Sequence, residues 1–91
     1  MNVAIDVRVQ ERGGSWLAIV RVVQEGRRTV HRVTVTPENL SRYRARDARD
    51  LARRSFVFLL SREPNTSILR EFRVSEIERY FPDFPRHVTR P

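Results

Sequence analysis

Two glycine-marked bends constrain this chain more than any other feature. Gly13-Gly14 and Glu25-Gly26 punctuate runs rich in β-branched residues. Each bend has the form of a two-residue hairpin loop, whose central positions need positive φ. In the first run Val3, Ile5, Val7 and Val9 alternate with Ala4, Asp6 and Arg8, the period-two pattern of a half-buried strand. The spacing predicts strands over about 3–9, 15–23 and 28–36, joined as an antiparallel meander.

The bends also set a register that can be checked for self-consistency. If Gly13-Gly14 is a two-residue loop, Val9 faces Ala18, Val7 faces Val20 and Ile5 faces Val22. If Glu25-Gly26 is the second, Val22 faces Thr29, Val20 faces His31, Ala18 faces Val33 and Trp16 faces Val35. Directly opposed residues share a sheet face. One face then collects Val3, Ile5, Val7, Val9, Trp16, Ala18, Val20, Val22, Val33 and Val35. The other collects Asp6, Arg8, Leu17, Ile19, Arg21, Val23, Arg28, Val30, Arg32 and Thr34. A slip of one residue in either hairpin would put arginine into the core.

The rest of the chain reads as helical. Thr36-Pro37-Glu38 is a helix start, with a capping hydroxyl, proline at the first position and an acid in the first turn. Helical character runs from Glu38 to about Arg62, either as one helix or as two, with a break near Tyr43–Arg46 and Asp47 as the second cap. Ala48, Leu51, Ala52, Ser55, Phe58 and Leu59 form a stripe with Phe56 beside it. Glu63-Pro64 ends that helix. Asn65, Thr66 or Ser67 is expected to cap a short helix bearing Ile68, Leu69 and Phe72. Ser75 with Glu78 is expected to box the start of another, carrying Ile77, Tyr80 and Phe81. The architecture that follows is α+β: a three-stranded antiparallel meander, then two to four helices on one sheet face. Residues 1–85 are expected as a single domain and 86–91 as a flexible tail.

Charge narrows the function. The chain carries eighteen basic residues, all arginine, against eleven acids, for a net +7. By region the balance is +3 over 1–36 (six arginines, three acids), +3 over 37–61 (six, three) and +1 over 62–91 (six, five). The basic field therefore belongs to the first two thirds. Arg8, Arg21, Arg28 and Arg32 fall on the wet sheet face, where guanidinium forks could meet phosphates or base edges in a DNA groove. The same pattern describes an ordinary solvated face, with arginine stems covering aliphatics. On a continuous helix Arg42, Arg46, Arg49 and Arg53 would line one further stripe, although Asp50 can pair with Arg46 and Arg54. The C-terminal residues from Ile68 to Phe84 are rich in aromatics, enough to complete the core or to offer Tyr80 and Phe81 to a partner.

Catalytic chemistry finds little footing. There is no cysteine, and so no disulfide or thiolate site. The glycines are hairpin glycines rather than a phosphate loop. His31 falls on the apolar face, and no serine has a histidine placed to activate it. No cofactor, metal site or catalytic residue is expected. No apolar run spans a bilayer, and no signal segment is evident, so a cytoplasmic location is the expectation.

The stretch SILREFRVSEIERYFPDF, preceded by RRSFVFLLSREP, resembles the end of a group of small bacterial proteins of unassigned function. The resemblance covers roughly the last half of the chain. It implies a shared α+β fold and brings no catalytic residue with it. The residues thus point to a small binding module without enzymatic activity. Its expected partner is DNA or RNA, bound through Arg8, Arg21, Arg28, Arg32, Arg42, Arg46, Arg49 and Arg53. The alternative is an adaptor or antitoxin-like protein that meets another protein through Leu17, Ile19, Tyr80 and Phe81, or a homodimer paired across a two-fold axis through an exposed outer strand.

Overall fold

The computed structural model describes residues 2–89. The expected meander is present as β1 (Val3–Arg12), β2 (Ser15–Gln24) and β3 (Arg27–Val35). The register is the one the bends dictate: Val7 opposes Val20, Val20 opposes His31 and Trp16 opposes Val35. Both loops adopt positive φ at both central positions, +54° and +86° at Gly13-Gly14 and +51° and +79° at Glu25-Gly26. That geometry matches the right-handed twist of the flanking strands.

α1 (Pro37–Tyr43) starts at Thr36, whose Oγ1 accepts from the Asn39 amide while Asn39 Oδ1 accepts from the Thr36 amide. It stops at Arg44, which turns left-handed with φ +52°. α2 (Ala48–Leu60) begins at Asp47, whose carboxylate accepts from the Asp50 amide at 2.8 Å. The segment from Glu38 to Arg62, which the sequence leaves open as one helix or two, is two helices with the break at 44–47.

Beyond α2 the structure departs from expectation. Residues 65–67 make one 3-10 turn, and Glu71–Arg73 form β4, which adds to β3 in parallel. The expected helix over this stretch is absent because Asn65 does not cap one. Its Nδ2 donates to the Arg27 carbonyl (2.9 Å) and to Thr29 Oγ1 (3.1 Å), and its amide donates to Gln24 Oε1 (2.8 Å). This ties the turn to β2 and β3 and delivers Phe72 alongside Val33. The Ser75–Glu78 box does not form either. Glu76 accepts from the Arg73 amide at 3.0 Å, a 3-10 turn follows over 74–76, and α3 (Ile77–Tyr80) continues from it. Glu78 reaches α1 instead. The last helix is α4 (Phe84–Val88), with Pro85 in its first turn, where a missing amide costs nothing. Of the expected tail, Arg86–Val88 lie in α4 with Val88 buried, and Arg90 and Pro91 lie outside the described residues.

The sheet order is β1-β2-β3-β4, with the helices on one face. Leu51, Ala52, Phe56 and Leu59 of α2 join Val7, Val20, Val22 and Val33 in the core. Phe56 sits between His31 and Phe72, at ring-centroid distances of 5.0 and 6.0 Å. Phe84 brings the C-terminal segment in, edge-on to Tyr43 and Phe58 at 5.3 Å each. Val3, assigned to the buried face by alternation, is 41% exposed. It lies at the start of the edge strand.

Candidate functional site

The open face of the sheet is positioned by the register alone. Its residues fall in rows across the strands: Ala4, Val23, Arg28; then Asp6, Arg21, Val30; then Arg8, Ile19, Arg32, Glu71; then Gln10, Leu17, Thr34, Arg73. Arg21 is central. Three of its four diagonal neighbours are Arg8, Arg28 and Arg32, each about 8 Å away in Cα position from the spacing of strands and residues. Arg8 pairs with Asp6 at 3.5 Å, with both side chains exposed. Among the described residues no hydrogen bond or ion pair occupies the guanidinium groups of Arg21, Arg28 or Arg32, although Glu71 stands beside Arg32 in the register. Within these four rows five arginines against Asp6 and Glu71 leave +3, and Arg12 lies in the next row toward the first hairpin.

The apolar members of the face are more sheltered than expected. Leu17 is only 8% exposed. It lies between Gln10 and Thr34 with Arg8, Arg12 and Arg32 on its diagonals, long side chains whose stems can cover it. Ile19 is half-buried. The aliphatics left open are Val23 and Val30. Leu17 thus offers little surface to a protein partner, and Ile19 only part of its side chain.

The second expected basic stripe does not exist as a stripe. The break at Arg44–Asp47 puts Arg42 on α1, Arg46 in the connection and Arg49 and Arg53 on α2. Arg49 Nε donates to the Val7 carbonyl (3.3 Å), and Arg53 Nη2 donates to the Ile5 carbonyl (2.9 Å). Two arginines one helical turn apart thereby match two outward-facing carbonyls of edge strand β1. Arg54 Nε donates to the Val88 carbonyl at 2.9 Å. Arg42 grips Glu78 through Nε (3.0 Å) and Nη2 (2.8 Å), and the Tyr43 hydroxyl donates to the same carboxylate. Burial first, then the contact with Glu78, pushes the Tyr43 phenol up to about 12. Arg62 and Asp83 pair in the same manner near α4, and that guanidinium holds the Asp83 carboxyl below its ordinary range.

His31 is fully buried and packs. Its Nδ1 lies 2.8 Å from the Leu69 carbonyl and its Nε2 lies 2.8 Å from Thr29 Oγ1. A carbonyl only accepts, so Nδ1 carries the proton and Nε2 receives the Thr29 hydroxyl. Burial lowers the imidazole pKa, offset in part by the Leu69 bond. Gln24, Thr29, His31 and Asn65 form one satisfied network under the helices. Sequence reading missed it, because nothing local announces that Asn65 will cross to the sheet. Among the described residues no group of three or more His, Asp or Glu side chains could hold a metal. No helix among the described residues is long and apolar enough to cross a membrane.

A second concave surface lies on the helix side, a groove of about 240 Å³ between the end of α2, the 65–69 turn and α3. Leu59, Phe72 and Ile77 floor it, Leu69 and Tyr80 rim it, and Glu63 stands at its side. Of the expected pair, Tyr80 is 65% exposed here. Phe81 is half-buried, its ring edge-on to Phe58 at 5.8 Å. No family model, curated protein or solved structure matches the chain.

Proposed function

We propose that the chain binds nucleic acid by laying its open sheet face across the phosphate backbone. The observation that supports this reading most is the cluster of Arg21, Arg28 and Arg32 with Arg8 beside them, none of the first three held by another group among the described residues. Leaving several guanidinium groups adjacent and unpaired costs mutual repulsion, and a polyanion relieves it.

The shape of the face favours contact with the backbone over reading of bases. Four strands place the outer axes about 14 Å apart before side chains are added, wider than a major groove of about 12 Å that accepts a helix or a two-stranded ribbon. The face also has no aromatic ring on which an unpaired base could stack. The expected behaviour is affinity for duplexes with little sequence preference and a steep fall as salt rises. Arg21 is the central contact, with Arg28 and Arg32 flanking it. Arg42, Arg49 and Arg53 have no place in this contact, since the fold uses their guanidinium groups elsewhere.

The test is polarisation of a labelled duplex and of a labelled single strand across a salt series. Binding to the duplex that weakens steeply with salt, and that the Arg21→Glu/Arg32→Glu variant loses while it stays folded, agrees with the reading. Negligible affinity for both probes at low salt ends it.

A further inference from the structure

The groove on the helix side has a chemistry unlike the rest of the molecule. Eighteen of ninety-one residues are arginine and the chain carries +7, yet no arginine among the described residues lines this groove, while Glu63 and Glu76 do. The two acids are not equivalent. Glu76 is engaged with the Arg73 amide. The carboxylate of Glu63 meets no cation and no hydrogen-bond donor among the described residues, although the side chain is half-buried at the end of α2. Burial raises its pKa and no neighbouring charge opposes the shift. A carboxylate that has lost water without gaining a partner is stabilised by an incoming cation.

Beside it the apolar rims stand open. Leu69 is 50% exposed and Tyr80 65% exposed, and they flank a floor of core residues. This juxtaposition differs from the scattered exposure of Val3 and Val57, which is ordinary for a protein surface. The groove is small for a drug-sized molecule, since such pockets usually span about 300–1,000 Å³. It suits one large apolar side chain held with its neighbours outside.

We propose that this groove docks a short peptide segment of a partner protein, which inserts one apolar side chain between Leu69 and Tyr80 and sets an adjacent arginine or lysine against Glu63. The proposal is independent of the sheet face, which lies on the opposite side of the sheet. Charge complementarity chooses the occupant. A carboxylate end or a phosphate would face both Glu63 and Glu76, whereas a cation restores what burial took from Glu63. The +7 field repels a strongly basic partner at long range. The fitting segment therefore carries a single local cation within a neutral or acidic protein, and salt alters its binding little.

The experiment uses the full chain and fluorescein-labelled peptides in a Gly-Ser background. Each peptide holds one Leu, Phe or Trp a few positions from one arginine, and matched controls replace the arginine with glutamate. The arginine series is expected to bind at least about tenfold more tightly than the glutamate series, the scale of one charged contact at a partly buried site. The isosteric Glu63→Gln variant is expected to erase that preference. Leu69→Ser and Tyr80→Ser, both at exposed positions, are expected to abolish binding of both series with circular dichroism unchanged. Arg21→Glu/Arg32→Glu is expected to leave peptide binding intact. Equal affinity for the two series overturns the proposal, as does an arginine preference that survives Glu63→Gln. A concentration-dependent dimer in sedimentation that Leu69→Ser dissolves also overturns it, since a second copy then fills the groove.

Discussion

The arginines of the helix side and those of the open sheet face are chemically identical and meet different fates. On the helix side Arg49 and Arg53 donate to the carbonyls of β1, Arg54 to that of Val88, Arg42 to Glu78 and Arg62 to Asp83. On the open face Arg21, Arg28 and Arg32 have no partner among the described residues. The contrast shows why a charge surplus does not by itself locate a function. A planar guanidinium with several donors can satisfy backbone carbonyls and carboxylates as readily as phosphates. Arg49 and Arg53 also answer a structural need, because an unpaired edge strand invites pairing with another chain. Arg27, Arg44, Arg70, Arg79 and Arg86 also lack a side-chain partner among the described residues, but Arg21, Arg28 and Arg32 are gathered on one sheet face.

If the comparison is sound, helix-side changes cost stability and open-face changes do not. The largest effect is expected at Asn65. Asn65→Ala leaves the Arg27 carbonyl and Thr29 short of a donor inside a buried network, and urea denaturation is expected to show a loss of about 2–4 kcal/mol. A loss under about 0.5 kcal/mol would mean that the network under the helices is not what fixes the 65–69 turn.

The same network predicts a pH dependence. Burial lowers the folded pKa of His31 below the unfolded value of about 6.5. In the window between the two values the unfolded chain binds a proton that the folded chain refuses. The stability from His31 is therefore complete above about pH 6.5 and is lost as pH falls toward the folded pKa, with a slope of at most about 1.4 kcal/mol per pH unit. Denaturation midpoints measured from pH 7 downward check this, and His31→Gln is expected to flatten that part of the profile.

Arg53→Ala tests the edge contact. It removes the bond to the Ile5 carbonyl, and a loss of about 1 kcal/mol, or about 4–8 °C in Tm for a domain of this size, is expected by calorimetry. The smallest effect belongs to the open face. Arg21→Ala and Arg32→Ala are each expected to shift stability by less than about 0.5 kcal/mol. If either matches Arg53→Ala, the guanidinium is part of the fold and the division between the two sets fails.

The sheet was legible because its signals are local and agree with one another. Gly13-Gly14 and Glu25-Gly26 set turn geometry, and Val7, Val20 and Val33 alternate to suit it. Thr36 announced the first helix for the same reason, a cap being written within a few residues of the backbone it satisfies, while Asp47 marked a start that the sequence left undecided between one helix and two. What escaped depends on distant partners. Asn65 looks like a helix cap until β3 offers it Thr29 and the Arg27 carbonyl. Glu78 looks like half of a capping box until Tyr43 and Arg42 reach it from α1. β4 is three residues long, too short to show a period of its own. For the candidate site, Arg8, Arg21, Arg28 and Arg32 were placed by the register. The uses of Arg42, Arg49 and Arg53 could not be read before the packing of α2 along β1 was known, and Glu63 gave no signal until a groove formed beside it.

The central claim is that the unpaired arginines of the sheet face hold nucleic acid while those of α2 hold the protein together. Two double variants separate these roles most directly, Arg21→Gln/Arg32→Gln and Arg49→Gln/Arg53→Gln, which remove the same charge. Duplex affinity at low salt and thermal stability are measured for both. The account predicts that the first pair loses affinity at unchanged Tm and that the second keeps affinity at reduced Tm. Equal losses of affinity in the two pairs would contradict it, because net charge alone would then explain the binding.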